Sequence, residues 1–117
     1  GDRVNKFPRS SGFTPLEQYL RHVEADVIFA FFGYNESFDM APEAYASALE
    51  QMVQKFRGLQ PNGTSIPRIV LFSPIAHEDL GNPDLPNGQA NNARLARITA
   101  ATELGQTMAA GLALGIF

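Results

Sequence analysis

The chain has 117 residues, 44% of them hydrophobic and 18% charged, enough for one modest core and too few for two independent domains. Nine Lys+Arg against twelve Asp+Glu give a net charge of -3, with no basic stripe to neutralise a row of phosphates, so no nucleic-acid partner is expected. The longest apolar run, Val27 to Phe32, is far short of the ~20 residues a bilayer-spanning helix needs, and no membrane span is expected.

Zero cysteines exclude a disulfide framework, a thiolate zinc site and a Cys nucleophile while leaving the compartment open, a periplasmic or secreted location included. Two histidines, His22 and His77, are too few for a His-rich metal site. Residues 1–13 do not read as a basic and apolar leader, so any targeting peptide is expected to lie outside this sequence or not to exist. The chain starts at Gly1 rather than Met, and Gly115-Ile116-Phe117 reads like the start of a strand. The expectation is a fragment, with residues 1–117 forming one partial domain.

Residues 1–13 are polar, carry Gly, Pro and a Ser pair, and read as loop. Thr14-Pro15-Leu16-Glu17 then predicts a helix start, with Thr14 and Glu17 as a capping box and Pro15 at the first helical position. Leu16, Tyr19, Leu20 and Val23 fall on one apolar stripe. Asp26 to Phe32 is an unalternated apolar run closed by Gly33, which suits a strand buried on both faces, with Phe29, Phe31 and Phe32 in the core. A second helix is predicted from Pro42 to Arg57, with Tyr45, Ala48, Leu49, Met52, Val53 and Phe56 at helical spacing and Gly58 as its stop.

The turn-rich segment Gln60 to Ser65 leads to a second strand-like run, Pro67 to Ser73, ended by Pro74. Residues 74–88 form a long loop with three prolines and two glycines, a length more often functional than idle. A third helix covers roughly Gln89 to Ala110, with Leu95, Ile98, Thr102, Met108 and Leu112 only loosely periodic. The order helix, strand, helix, strand, helix implies right-handed crossovers and a parallel sheet covered on both faces, an incomplete three-layer α/β/α arrangement of flavodoxin-like type.

In an open parallel sheet, ligands bind beyond the carboxyl ends of the strands. Those positions are Gly33-Tyr34-Asn35-Glu36-Ser37-Phe38 and Ser73-Pro74-Ile75-Ala76-His77-Glu78-Asp79. The first, ending the run ADVIFAFFGYNES, resembles the third sequence block of the SGNH hydrolases, the GDSL-type esterase/lipase family, where an apolar strand ends in Gly-x-Asn-(Asp/Glu). RIVLFSPIAHED followed by NNARLARITAATE resembles the strand, substrate-side loop and helix that come next in that family. The opening Gly1-Asp2-Arg3-Val4 resembles the end of its second block. The resemblance runs in order along nearly the whole chain, although each motif is short.

The resemblance implies serine-based ester hydrolysis, whose tetrahedral intermediate needs preorganised oxyanion donors. Asn35 would supply a side-chain donor and Gly1 a backbone donor. Gly33 would let the chain turn at the strand end. Tyr34, Glu36, Ser37 and His77 would lie on the substrate side, with Glu36 standing where many members have Asp. The substrate would be a small-molecule ester such as an acylated sugar or lipid, and no metal or organic cofactor is implied.

Two blocks of the family pattern are missing. The only Gly-Asp, Gly1-Asp2, is followed by Arg3, and none of Ser10, Ser11, Ser37, Ser47, Ser65 and Ser73 follows a Gly-Asp turn. Neither histidine has an Asp three residues before it. In the family these blocks lie before the region matched at Gly1 and after a strand like the one starting at Gly115. This chain alone is therefore expected to lack a Ser-His-Asp triad.

Plainer readings stand beside these. Asn35 after a strand is also a turn former. His77 reads as a substrate-side polar residue or a hydrogen-bonded loop histidine rather than a general base, and His22 as a surface residue. Glu78 and Asp79 read as a solvated loop without a third metal ligand. A second class of function is a non-catalytic α/β module binding a carbohydrate or protein partner through residues 34–40 and 74–88. A flavodoxin-like nucleotide binder fits less well, because no Gly-rich phosphate loop occurs.

Overall fold

The computed structural model describes residues 2–7, 12, 14–85 and 87–108, with side chains through Glu103. It has the order α1 (Leu16–His22), β1 (Val27–Phe31), a 3-10 turn (Glu36–Phe38), α2 (Pro42–Leu59), β2 (Arg68–Phe72) and α3 (Gln89–Met108). β1 and β2 pair in parallel, with Ile28 opposite Ile69 and Phe31 opposite Phe72. α2 makes the crossover that parallel neighbours require. The chain is thus a small α/β protein with a two-stranded parallel sheet among the described residues.

Ile28 and Ala30 of β1 and Ile69 and Leu71 of β2 join one buried cluster with Leu20 of α1, Tyr45, Leu49, Met52, Val53 and Phe56 of α2, Ile98 of α3 and Val4 of the opening loop. The helical spacing of the α2 residues is what brings them to this face. On α3, Leu95, Ile98 and Thr102 are buried, and the Thr102 hydroxyl donates back to the Ile98 carbonyl at 2.9 Å. The expected contributions of Met108 and Leu112, and the helix beyond 108, lie outside the described side chains.

The expectation that β1 is buried on both faces does not hold among the described residues. Its burial alternates, and Phe29 and Phe31 are 61% and 69% exposed. Their rings pack on Phe72 of the neighbouring strand, Phe31 in a stack with centroids 4.1 Å apart. An unalternated apolar run cannot reveal which side of the pleat is covered. Phe32, half-buried, packs against the core beside Phe7, 4.9 Å away.

Three details of the helices differ from the expectations. Pro15 is itself the N-cap of α1, and no side chain caps that helix. Glu17 instead reaches Lys55 on α2, and that ion pair holds its carboxyl below the usual range. Tyr19 and Val23 of the predicted stripe are exposed, leaving Leu20 buried and Leu16 half-buried. α2 runs through Gly58 to Leu59, which packs against the core, and ends with Gln60 in the left-handed region at φ 40°.

Tyr45, 2% exposed, carries a buried phenol. Burial pushes its pKa up to about 12, an effect that Thr102 partly offsets by hydrogen bonding. The unfolded chain releases this proton near its ordinary value of 10.0, so the stabilisation is complete below pH 10 and is lost as pH rises through 12. We expect unfolding free energy to fall by about 2–3 kcal/mol across that window. Tyr45→Phe should remove that part of the slope in denaturant titrations at successive pH values; an unchanged slope would refute the assignment.

Candidate functional site

The segment after β1 is built around a tight turn. Gly33 takes φ +111°, and a Cβ there would lie 3.0 Å from Pro74 and 3.1 Å from Ile98. Only glycine meets both conditions without strain. Glu36 then folds back. Its Oε2 accepts the Gly33 amide at 2.9 Å and its Oε1 accepts the Val4 amide at 2.6 Å. Glu36 is 1% exposed, so its carboxylate is a buried tie between the opening loop and the strand-end turn, satisfied by two donors as burial demands.

Three further side-chain donors, Asn35, Arg3 and Arg94, fix the same region. Asn35 Nδ2 donates to the Asp2 carbonyl at 2.8 Å. Arg3 meets Asp39 through both guanidinium nitrogens, at 2.6 and 3.1 Å, and this fork holds the Asp39 carboxyl below its ordinary value. From α3, Arg94 donates to the Ser37 carbonyl at 3.1 Å and also to the Phe38 carbonyl.

The loop after β2 is pinned with equal economy. The Asn92 side chain accepts the His77 amide at 2.7 Å and donates to the His77 carbonyl at 2.9 Å. Gly88, at φ +74°, passes so close that a Cβ would stand 2.7 Å from that of His77. The His77 ring then lies over Tyr34, with centroids 4.1 Å apart and 22° between planes, and stands perpendicular to Phe38 at 5.2 Å. Its Nε2 is 2.9 Å from Ser37 Oγ. Tyr34, Phe38 and His77, with Ile75, Leu80 and Leu85, line a cavity of about 510 Å³.

Ser37 and His77 stand at the spacing of a nucleophile and its base, yet the environment gives Ser37 another task. The serine is fully buried, and its hydroxyl donates to the Tyr34 carbonyl at 2.7 Å. A carbonyl can only accept, so the single hydroxyl proton is committed and Ser37 accepts from His77 Nε2–H. The pair is a clamp between two loops, with no route to a substrate carbonyl.

Of the site residues named from the sequence, Gly33, Tyr34, Asn35, Glu36, Ser37 and His77 come together at the carboxyl ends of the strands. Tyr34 and His77 line the cavity. Glu36 and Ser37, expected on the substrate side, are buried, and their side chains hold the scaffold. Gly1 lies outside the described residues. Sequence reasoning missed Asn92, Arg94 and Gly88, which position the site from a distance; the polar pair Asn91-Asn92 in the first turn of a helix was the available signal. Glu78 and Asp79 are exposed as expected, and among the described residues no group of three acidic or histidine side chains could hold a metal.

No helix among the described residues is long and apolar enough to cross a membrane. No protein-family model, curated protein or solved structure matches the chain.

Glu36→Gln replaces one of two acceptors by an amide NH2 that faces a backbone N–H. We expect this to destabilise the chain by about 1–3 kcal/mol, read as a lower denaturant midpoint with an unchanged slope. An unaltered midpoint would show that the tie is dispensable.

Proposed function

We propose that this chain is the central part of a serine ester hydrolase of the SGNH (GDSL-type) kind, supplying oxyanion-hole residues to a three-layer α/β/α domain. The observation that carries the reading is the contact of Asn35 with the opening loop, its Nδ2 lying 2.8 Å from the Asp2 carbonyl. The two segments whose likeness to the family's second and third blocks makes them oxyanion donors are therefore side by side, beyond the end of a parallel strand where this fold class binds ligands. One amide hydrogen of Asn35 is used on Asp2, and the second is available to a developing oxyanion. Gly1, adjacent to Asp2, is the proposed backbone donor.

In this reading the nucleophilic serine and the Asp-x-x-His pair are not among the residues of this chain, and the 117 residues alone carry no triad chemistry. Serine would attack the ester carbonyl, histidine would take its proton, and Asn35 with Gly1 would hold the oxyanion. The buried, committed hydroxyl of Ser37 favours this division of labour over a local Ser-His dyad. It also supports a second reading, a non-catalytic α/β module that binds a carbohydrate or protein partner through the loops around Tyr34 and His77.

The test is Asn35→Ala in the complete polypeptide, assayed on a simple aryl ester. Loss of one oxyanion donor should lower kcat about 10²–10³-fold with little change in KM. Near wild-type kcat would overturn the assigned role, and a complete polypeptide without esterase activity would leave the binding-module reading in front.

A further inference from the structure

The cavity beside His77 has a chemistry of its own. One wall is aromatic, with Tyr34, His77 and Phe38 mutually packed, while Ile75, Leu80 and Leu85 from the 73–88 loop complete it. Apart from Tyr34, 39% exposed, and Phe38, 48%, the aliphatic side chains are strongly open, with Ile75 at 76% and Leu80 at 66%. Such a concentration of uncovered apolar surface around one concavity marks a binding site. Among the described residues no Lys or Arg lines it, and Glu78 is its one carboxylate. A phosphate or carboxylate ligand would meet no counter-charge there.

The polar anchor follows from the proton count at Ser37. Its hydroxyl donates to the Tyr34 carbonyl, so His77 Nε2 carries the proton of the 2.9 Å contact. In the neutral ring Nδ1 is then an acceptor. It has no bonding partner among the described residues, while the Asn92 clamp holds the backbone of the same residue in place.

We propose that this cavity binds a neutral hydroxylated aromatic ring, of the phenol class, with the ring against Tyr34 and Phe38, its edge against Leu80 and Leu85, and its hydroxyl donating to His77 Nδ1. Flat rings gain most from an aromatic wall, and the His77 acceptor, fixed by the Asn92 clamp beside that wall, favours a ring that carries a donor. A pyranose, which carries several hydroxyls, would leave most of them unpaired against aliphatic side chains. As a statement about the ester substrate, which then carries such a ring, the inference rests on the hydrolase reading above.

The test uses the complete polypeptide and needs no turnover. Phenol, toluene and methyl glucoside are titrated into isotope-labelled protein while the methyl signals of Ile75, Leu80 and Leu85 and the imidazole signal of His77 are followed. Phenol should give saturable shifts confined to these residues, and toluene should bind about tenfold more weakly. Leu80→Asp, an exposed position whose substitution leaves the core intact, should weaken phenol about tenfold. The proposal fails if phenol gives no saturable shift, if toluene binds as well, if methyl glucoside binds more tightly, or if the shifts fall on Phe29 and Phe31 of the open sheet face. Ring binding without esterase activity in the complete polypeptide would remove the hydrolase reading alone; activity without ring binding would remove this inference alone.

Discussion

The Glu36 carboxylate, with one oxygen on the Val4 amide and the other on the Gly33 amide, is the contact on which the rest of the site depends. It joins two segments 32 residues apart, the opening loop and the turn that follows β1. Removing a carboxylate from water is costly, and two short hydrogen bonds to backbone donors offset that cost only if both donors are fixed. They are fixed by different means. Val4 is buried in the core cluster, and Gly33 is wedged against Pro74 and Ile98. The turn, the opening loop and α3 thus constrain one another through a single side chain, and the neighbouring Asn35 inherits its place from that arrangement.

The second loop is registered on the first by a different logic. Asn92 and Arg94, two residues apart on α3, reach in opposite senses: one grips the backbone of His77 and the other the carbonyls of Ser37 and Phe38. One helix therefore sets the distance between both loops. The Ser37–His77 hydrogen bond closes the circuit, and the stacked Tyr34 and His77 rings are its visible product. A cavity wall made from two loops distant in the sequence is rigid because its supports lie on a helix rather than on the loops themselves.

Much of this was legible in the residues. The spacing of Tyr45, Leu49, Met52, Val53 and Phe56 announces a helix with one buried face, and the runs before Gly33 and Pro74 announce strands, because each pattern reports a period. The strand ends also located the site, since glycine and proline punctuate where the chain must turn away. What could not be read was direction. Phe29 and Phe31 look like core by composition, yet they share a pleat face that no described helix covers. Glu36 and Ser37 look like site residues by position, yet they point inward, and only distances separate a polar tie from a polar contact with ligand. Thr14 matched a capping signature that Lys55 of a different helix overrode by claiming Glu17, a tertiary interaction outside any local window.

One proposal draws on both sequence and structure, that Gly1 and Asn35 supply the oxyanion donors of an ester-hydrolase site whose nucleophile and base belong to flanking sequence. The most direct measurement is the sequence of the source DNA on both sides of this reading frame. The account predicts a Gly-Asp-Ser turn encoded upstream of Gly1 and an Asp-x-x-His motif encoded downstream of Phe117. A reading frame that carries neither would contradict it, and the loops around Tyr34 and His77 would then be those of a binding module.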